Sequence, residues 1–151
     1  MLNIVLCEPE IPQNTGNIAR TCAVLGARLH LIRPFGFRLN DPPFKRAVMD
    51  YLEDVEIIEH VAWRAFMDSV PDQERVFLTS GLGGRPYTEA CFQRGDYLVF
   101  GSESRGLPDS WLETRTVWTI PMPGHGRGLN VAVAVGVVAF EAVRQISLQI
   151  A

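Results

Sequence analysis

The chain has 151 residues, 47% of them hydrophobic and 21% charged, with a formal charge of −3. That size and balance describe one globular domain over residues 1–151 and exclude a disordered or fibrous polypeptide. The acidic total argues weakly against nucleic acid. Three histidines and three cysteines without ligand spacing argue against a metal site, so no metal is expected.

Residues 2–7 read as a buried first strand; no basic leader precedes them, and Glu8 and Glu10 follow at once. Asn14 is the expected N-cap of a helix over 15–25, with Ile18, Cys22 and Leu25 on one face and Gly26 closing it. Residues 29–33 form a second strand, and a Pro/Gly/aromatic loop runs on through Phe44. A helix over 45–52, a short strand over 55–59 and a helix over 62–69 come next. Residues 75–80 and 97–101 are apolar strands separated by a glycine-rich turn. One helical turn at 109–113, a strand at 117–120 and a terminal helix over 130–147 complete the chain. Strands alternating with helices predict an α/β fold, a mostly parallel sheet flanked by helices on both faces.

Cys7, Cys22 and Cys91 are expected as buried free thiols in a reducing compartment. The longest apolar run, residues 131–140, is half a membrane span and stops at Glu141, so a cytoplasmic protein without membrane contact is expected. Those residues are apolar at every angle around the helix axis. A helix of that kind must be buried on all sides. A terminal helix in so small a domain can hardly be enclosed by its own chain, which predicts a homodimer; burial within the chain is the alternative.

Charge is unevenly placed. Residues 11–46 carry Arg20, Arg28, Arg33, Arg38, Lys45 and Arg46 against Asp41 alone, whereas residues 50–59 are acidic. Arginine suits bidentate phosphate binding, although a solvated basic face needs no ligand.

Three loops hold more polar, turn-forming residues than connectors need, and each follows a predicted strand, where open α/β sheets bind ligands. The first is Glu8-Pro9-Glu10-Ile11-Pro12-Gln13-Asn14-Thr15-Gly16-Asn17-Ile18-Ala19-Arg20. The second is Phe100-Gly101-Ser102-Glu103-Ser104-Arg105-Gly106-Leu107-Pro108. The third is Ile120-Pro121-Met122-Pro123-Gly124-His125-Gly126-Arg127-Gly128-Leu129-Asn130. No GxGxxG opens a helix after the first strand, and no Lys-Ser/Thr pair follows Gly81-Leu82-Gly83-Gly84, so dinucleotide and P-loop readings are weak. A ligand here would be gripped by several loops through main-chain groups.

These three blocks, in order and over essentially the whole chain, resemble the SPOUT superfamily of RNA methyltransferases. Within it the sequence is similar to the small TrmL (YibK-like) tRNA ribose 2′-O-methyltransferases. The resemblance implies an α/β fold with a C-terminal trefoil knot, a homodimer, and S-adenosylmethionine bound in the knot loops. It implies cofactor contacts at Thr79, Gly101, Ile120, Met122, Gly128 and Leu129, with Asn14, Glu103 and Asn130 supporting the site or lying near RNA. It implies a tRNA substrate methylated on the wobble ribose, cytidine or modified uridine, which in the characterised subgroup belongs to certain leucine tRNAs. The catalytic residue it implies is Arg20.

An arginine is a permanent cation, so we read Arg20 as a charged donor that stabilises the developing alkoxide rather than as a base. Helix capping alone would account for Asn14 and Asn130, and a structural cap for Glu103. Two departures stand out: close relatives usually have serine at Gly128 and often tyrosine at Phe140. They keep open an alternative, a catalytically silent RNA-binding or assembly dimer on the same fold. An ordinary nucleotide-binding domain would need a phosphate loop that the sequence lacks.

Overall fold

The computed structural model describes residues 1–126 and 128–150; Arg127 of the third loop and Ala151 of the predicted domain lie outside the described residues. Among the described residues the strands are β1 (Asn3–Cys7), β2 (Arg28–Ile32), β3 (Ile57–His60), β4 (Val76–Thr79), β5 (Arg85–Pro86), β6 (Tyr97–Phe100) and β7 (Val117–Thr119). The helices are α1 (Pro12–Leu25), α2 (Pro42–Val48), α3 (Trp63–Ser69), α4 (Asp109–Thr114) and α5 (Val131–Ile150). The strands form one sheet in the order β3-β2-β1-β6-β4-β7-β5, with every pair parallel.

Side-chain alternation along the strands divides the core in two. Ile4, Leu6, Leu29, Leu31, Leu98 and Phe100 face α1, α2 and α5, meeting Ile18, Phe44 and Val138. Val5, Cys7, Ile32, Leu78 and Val99 face α3 and α4, meeting Phe66, Met67 and Leu107. Both faces of β1 are therefore covered, and all five of its residues are buried. This is the doubly covered parallel sheet that the sequence predicts.

The second core also contains a polar chain. His30 lies 3.1 Å from Asn3 Oδ1 through Nε2 and 2.9 Å from His60 Nε2 through Nδ1. Burial and the neighbouring His60 push the His30 imidazole down to about 4, because both disfavour the cation.

Two expectations need correction. Helix α1 begins at Pro12 with Ile11 as its cap residue and no side-chain cap bond, so Asn14 is not the cap. Proline is favoured in the first turn because its missing N–H would have no helical partner there. Cys7 and Cys22 are buried but Cys91 is exposed; desolvation raises both buried thiols, Cys22 to about 12. Helix α5, as expected of a terminal helix in so small a domain, is not enclosed on all sides by its own chain. Val135, Val138, Ala139 and Ala142 are buried, whereas Val133, Phe140 and Leu148 are exposed by 51%, 52% and 63%. By length and composition α5 would also span a membrane, yet its inner side forms part of the domain core.

Candidate functional site

Because the strands are parallel, the segments leaving β1, β4, β6 and β7 emerge along one edge of the sheet. They wall a cavity of about 560 Å³, within the range of small-molecule sites. Nine of the ten residues singled out from the sequence line it: Asn14, Thr79, Gly101, Glu103, Ile120, Met122, Gly128, Leu129 and Asn130.

The first and second loops are clasped together. Glu103 accepts the main-chain N–H of Glu10 at 2.8 Å and of Ile11 at 3.1 Å, so it caps the approach to α1 from the other end of the chain. In return Glu10 accepts Ser104 Oγ at 2.6 Å and Ser104 N at 3.2 Å. Those bonds hold the exposed Glu10 carboxyl below its ordinary range. The third loop joins through amides. Asn14 donates to Glu103 at 3.3 Å and accepts from Asn130 Nδ2 at 2.9 Å. Asn130 Oδ1 accepts from Ala132 N at 2.8 Å, capping α5 as expected. One chain, Glu103–Asn14–Asn130, thus ties all three loops into a single wall. The geometry supports the structural reading of Glu103.

The remaining wall is mostly main chain and apolar. The Thr79 hydroxyl is committed to Val99 O at 2.8 Å, leaving Thr79 its main chain for a ligand. Met122 and Leu129 are exposed by 38% and 44% at the cavity. Gly101 is packed so closely under Gly106 and Leu107 that a Cβ there would lie 2.2 Å from the Gly106 carbonyl carbon. Gly128, the first of the two departures, has a φ of +130°, a region where any side chain would be strained. Phe140, the other departure, sits on the exposed side of α5.

Arg20 is the residue the pocket does not gather. Six positions along α1 turn its side chain about 120° away from Asn14. It faces the segment after α2, donating to Met49 Sδ at 3.4 Å, with its guanidinium 5.3 Å from the Tyr51 ring centre. Sequence reasoning missed Ser80, Leu82, Tyr87 and Trp118, which also line the cavity. The glycine-rich turn at 81–84 was a visible cue for the first two.

A parallel sheet with a loop-walled cavity at its carboxyl edge has the arrangement of the ligand-binding class of open α/β proteins. Comparison with known proteins sharpens that class. The model of the SpoU rRNA methylase family matches residues 1–140, and the chain belongs to that family. It is 47% identical to a tRNA (cytidine(34)-2′-O)-methyltransferase of Saccharophagus degradans, over 97% of this chain and 96% of that protein. It superposes with a TM-score of 0.93, at 54% identity and over 96% and 95% of the two chains, on a structure described as concerning 2-OH methylation of C/U34 on tRNA. A SpoU methyltransferase of Streptomyces viridochromogenes in complex with AdoMet superposes with a TM-score of 0.82 at 26% identity, over 96% of this chain and 57% of that one.

Proposed function

We propose that this protein is an S-adenosylmethionine-dependent methyltransferase that methylates the ribose 2′-hydroxyl of the wobble nucleotide, C34 or U34, in tRNA. The observation that carries this reading is the meeting of all three motif loops around one cavity. The full-length similarity to a tRNA (cytidine(34)-2′-O)-methyltransferase supplies the substrate. The cavity suits the cofactor chemically. Ile120, Met122 and Leu129 offer apolar surface to a flat ring, while Gly101 and Gly128 bring main chain close without side-chain obstruction. When bound, S-adenosylmethionine supplies an electrophilic methyl group.

The chain's own residues have three tasks. The Glu103–Asn14–Asn130 chain holds the loops in register, so that the reacting centres are positioned before reaction. Met122 and Leu129 exclude water at the mouth of the cavity. Arg20 donates to the ribose 2′-oxygen as its proton leaves to water or phosphate, stabilising the charge that develops there. Since Arg20 points away from its own chain's cavity, we infer that it serves the cavity of a second copy. The exposed stripe of Val133, Phe140 and Leu148 on α5 supports such a homodimer. We further propose the trefoil knot. β7 lies between β4 and β5, and the end of α5 reaches back to Phe92, where Gln145 and Gln149 bond its main chain at 2.9 Å. Such a protein works beside tRNA in the cytoplasm.

The test is single-turnover methyl transfer to unmodified cellular tRNA, with cofactor titration on the same preparations. Arg20→Ala should lower the rate by about 10²–10³ while cofactor affinity holds. Arg20→Lys should rescue poorly, because an ammonium lacks the planar fork. A near-normal rate in Arg20→Ala would remove the centre of this mechanism.

A further inference from the structure

A second cavity, again of about 560 Å³, opens beside the loop that follows β2. It is lined by Arg33, Phe35, Phe37, Arg38, Asn40 and Glu59 among others. Arg33 directly follows β2 and Glu59 lies in β3, so this cavity sits on the same carboxyl edge of the sheet as the first. Only β1 separates β2 from β6, which puts the two within roughly 10 Å along the edge at the usual strand spacing.

The side chains here are arranged in layers. The Arg33 guanidinium carbon lies 4.5 Å from the Phe35 ring centre, and Phe35 packs against Phe37 at 5.2 Å. Glu59 Oε2 accepts from both Arg33 Nε, at 3.0 Å, and Nη2, at 2.5 Å. The guanidinium plane is therefore fixed from beneath by an aromatic ring and from the side by a carboxylate, while the side chain stays 47% exposed. An exposed ion pair adds little to stability, so folding alone gives no reason to fix this cation so closely. A fixed, exposed guanidinium plane is what an unstacked nucleobase stacks on. Asn40 can pair with a base edge, and Arg38 adds a cation without an ion-pair partner among the described residues.

We propose that this cavity binds a nucleobase of the substrate tRNA close to the methylated nucleotide, with the base stacked on Arg33 and the adjoining phosphate held by Arg38. The proposal rests on the reading of the protein as a tRNA methyltransferase and adds to it a specificity pocket outside the three motifs.

An abasic scan tests it. Anticodon stem-loop RNAs, each lacking one loop base other than the target's, are bound to wild type and to Arg33→Lys, which keeps the charge but loses the plane. At one position the missing base should weaken wild-type binding about ten-fold. In Arg33→Lys that penalty should fall to within two-fold, while intact RNA binds about ten-fold more weakly. Glu59→Gln, which loosens the clamp from the other side, should show a smaller loss at the same position. Arg33→Lys should leave the salt dependence unchanged, whereas Arg38→Ala should lower the slope of log affinity against log salt by about one. Unchanged thermal unfolding and S-adenosylmethionine affinity establish that the variants are folded. Intact-RNA affinity within two-fold of wild type in Arg33→Lys, or an abasic penalty equal in the two proteins at every position, overturns the proposal. Methyl transfer by wild type to the intact stem-loop is scored separately. If binding shows the coupling but no methyl is transferred, the methyltransferase reading fails and the base pocket stands.

Discussion

Gly101→Ala is the sharpest structural perturbation available near the cavity. Gly101 follows β6 and opens the second motif loop. A methyl group at this position would lie 2.2 Å from the Gly106 carbonyl carbon, 2.4 Å from Leu107 N and 2.6 Å from Gly106 Cα. All three are main-chain atoms, so no rotamer relieves the contact. Restoring an ordinary carbon–carbon separation of about 3.5–4.0 Å requires the Gly106–Leu107 segment to retreat by more than an ångström. That retreat strains the 2.9 Å bond from Gly106 N to Ser102 O. It also withdraws Leu107, only 5% exposed, from the second core. Overpacking costs about 1–3 kcal/mol and the lost hydrogen bond about 1 more, which corresponds to a fall in Tm of roughly 5–15 °C for a domain of this size.

The displaced loop also carries Glu103, so cofactor binding should suffer along with stability. Thermal unfolding and calorimetric titration with S-adenosylmethionine on one preparation read both effects, and affinity should fall by at least about ten-fold, or about 1.4 kcal/mol. Gly124→Ala is the control, since a Cβ there meets no atom of the described residues within 4 Å; it should stay within about 0.5 kcal/mol of wild type. A Gly101→Ala protein with the wild-type Tm and affinity would refute the account of how the loop closes.

Charges on α5 should separate fold from assembly: Val133→Asp and Phe140→Asp, on the exposed side, should yield folded monomers that do not methylate, whereas Val135→Asp buries an unpaired charge and should unfold the domain. Sedimentation with circular dichroism decides, and a Phe140→Asp dimer of wild-type affinity would contradict the proposed interface. Because the folded His30 titrates near 4 instead of 6.5, the unfolded chain takes up the proton first. Stability is then full above pH 6.5 and falls as pH drops to 4, by about 3 kcal/mol in all. Denaturant unfolding across that range should show a flatter pH profile for His30→Gln, and an equally steep one would remove His30 as the cause. Glu103→Gln keeps the side chain's size but turns an amide group toward N–H donors, so it should cost about 1–3 kcal/mol and weaken the cofactor; unchanged denaturant midpoint and titration would show that the clasp contributes nothing.

What the sequence made legible, and what it hid, follows from how far apart the interacting residues lie along the chain. The loops at the carboxyl edge stand out because glycine, proline and asparagine cluster where the backbone must turn, and the alternation of strands with helices is local as well. The two-residue strand β5, Arg85–Pro86, escapes because it is short and half of it is proline. Asn14 reads as a helix cap because that is what asparagine does locally. Its partners, Glu103 and Asn130, are 89 and 116 residues away in sequence, and no local pattern announces them. Arg20 is the converse case: adjacency in a motif groups it with pocket residues, and the helical turn carries its side chain away from its own chain's cavity. Helix α5 reads as uniformly apolar, and only packing divides it into an inner side of Val135 and Val138 and an outer side of Val133 and Phe140. These last two observations fit one proposal. In an isolated chain Arg20 stands outside the cavity and α5 keeps an exposed apolar stripe. The homodimer we propose, in which a second copy sits on that stripe and presents its Arg20 to the cavity, would account for both.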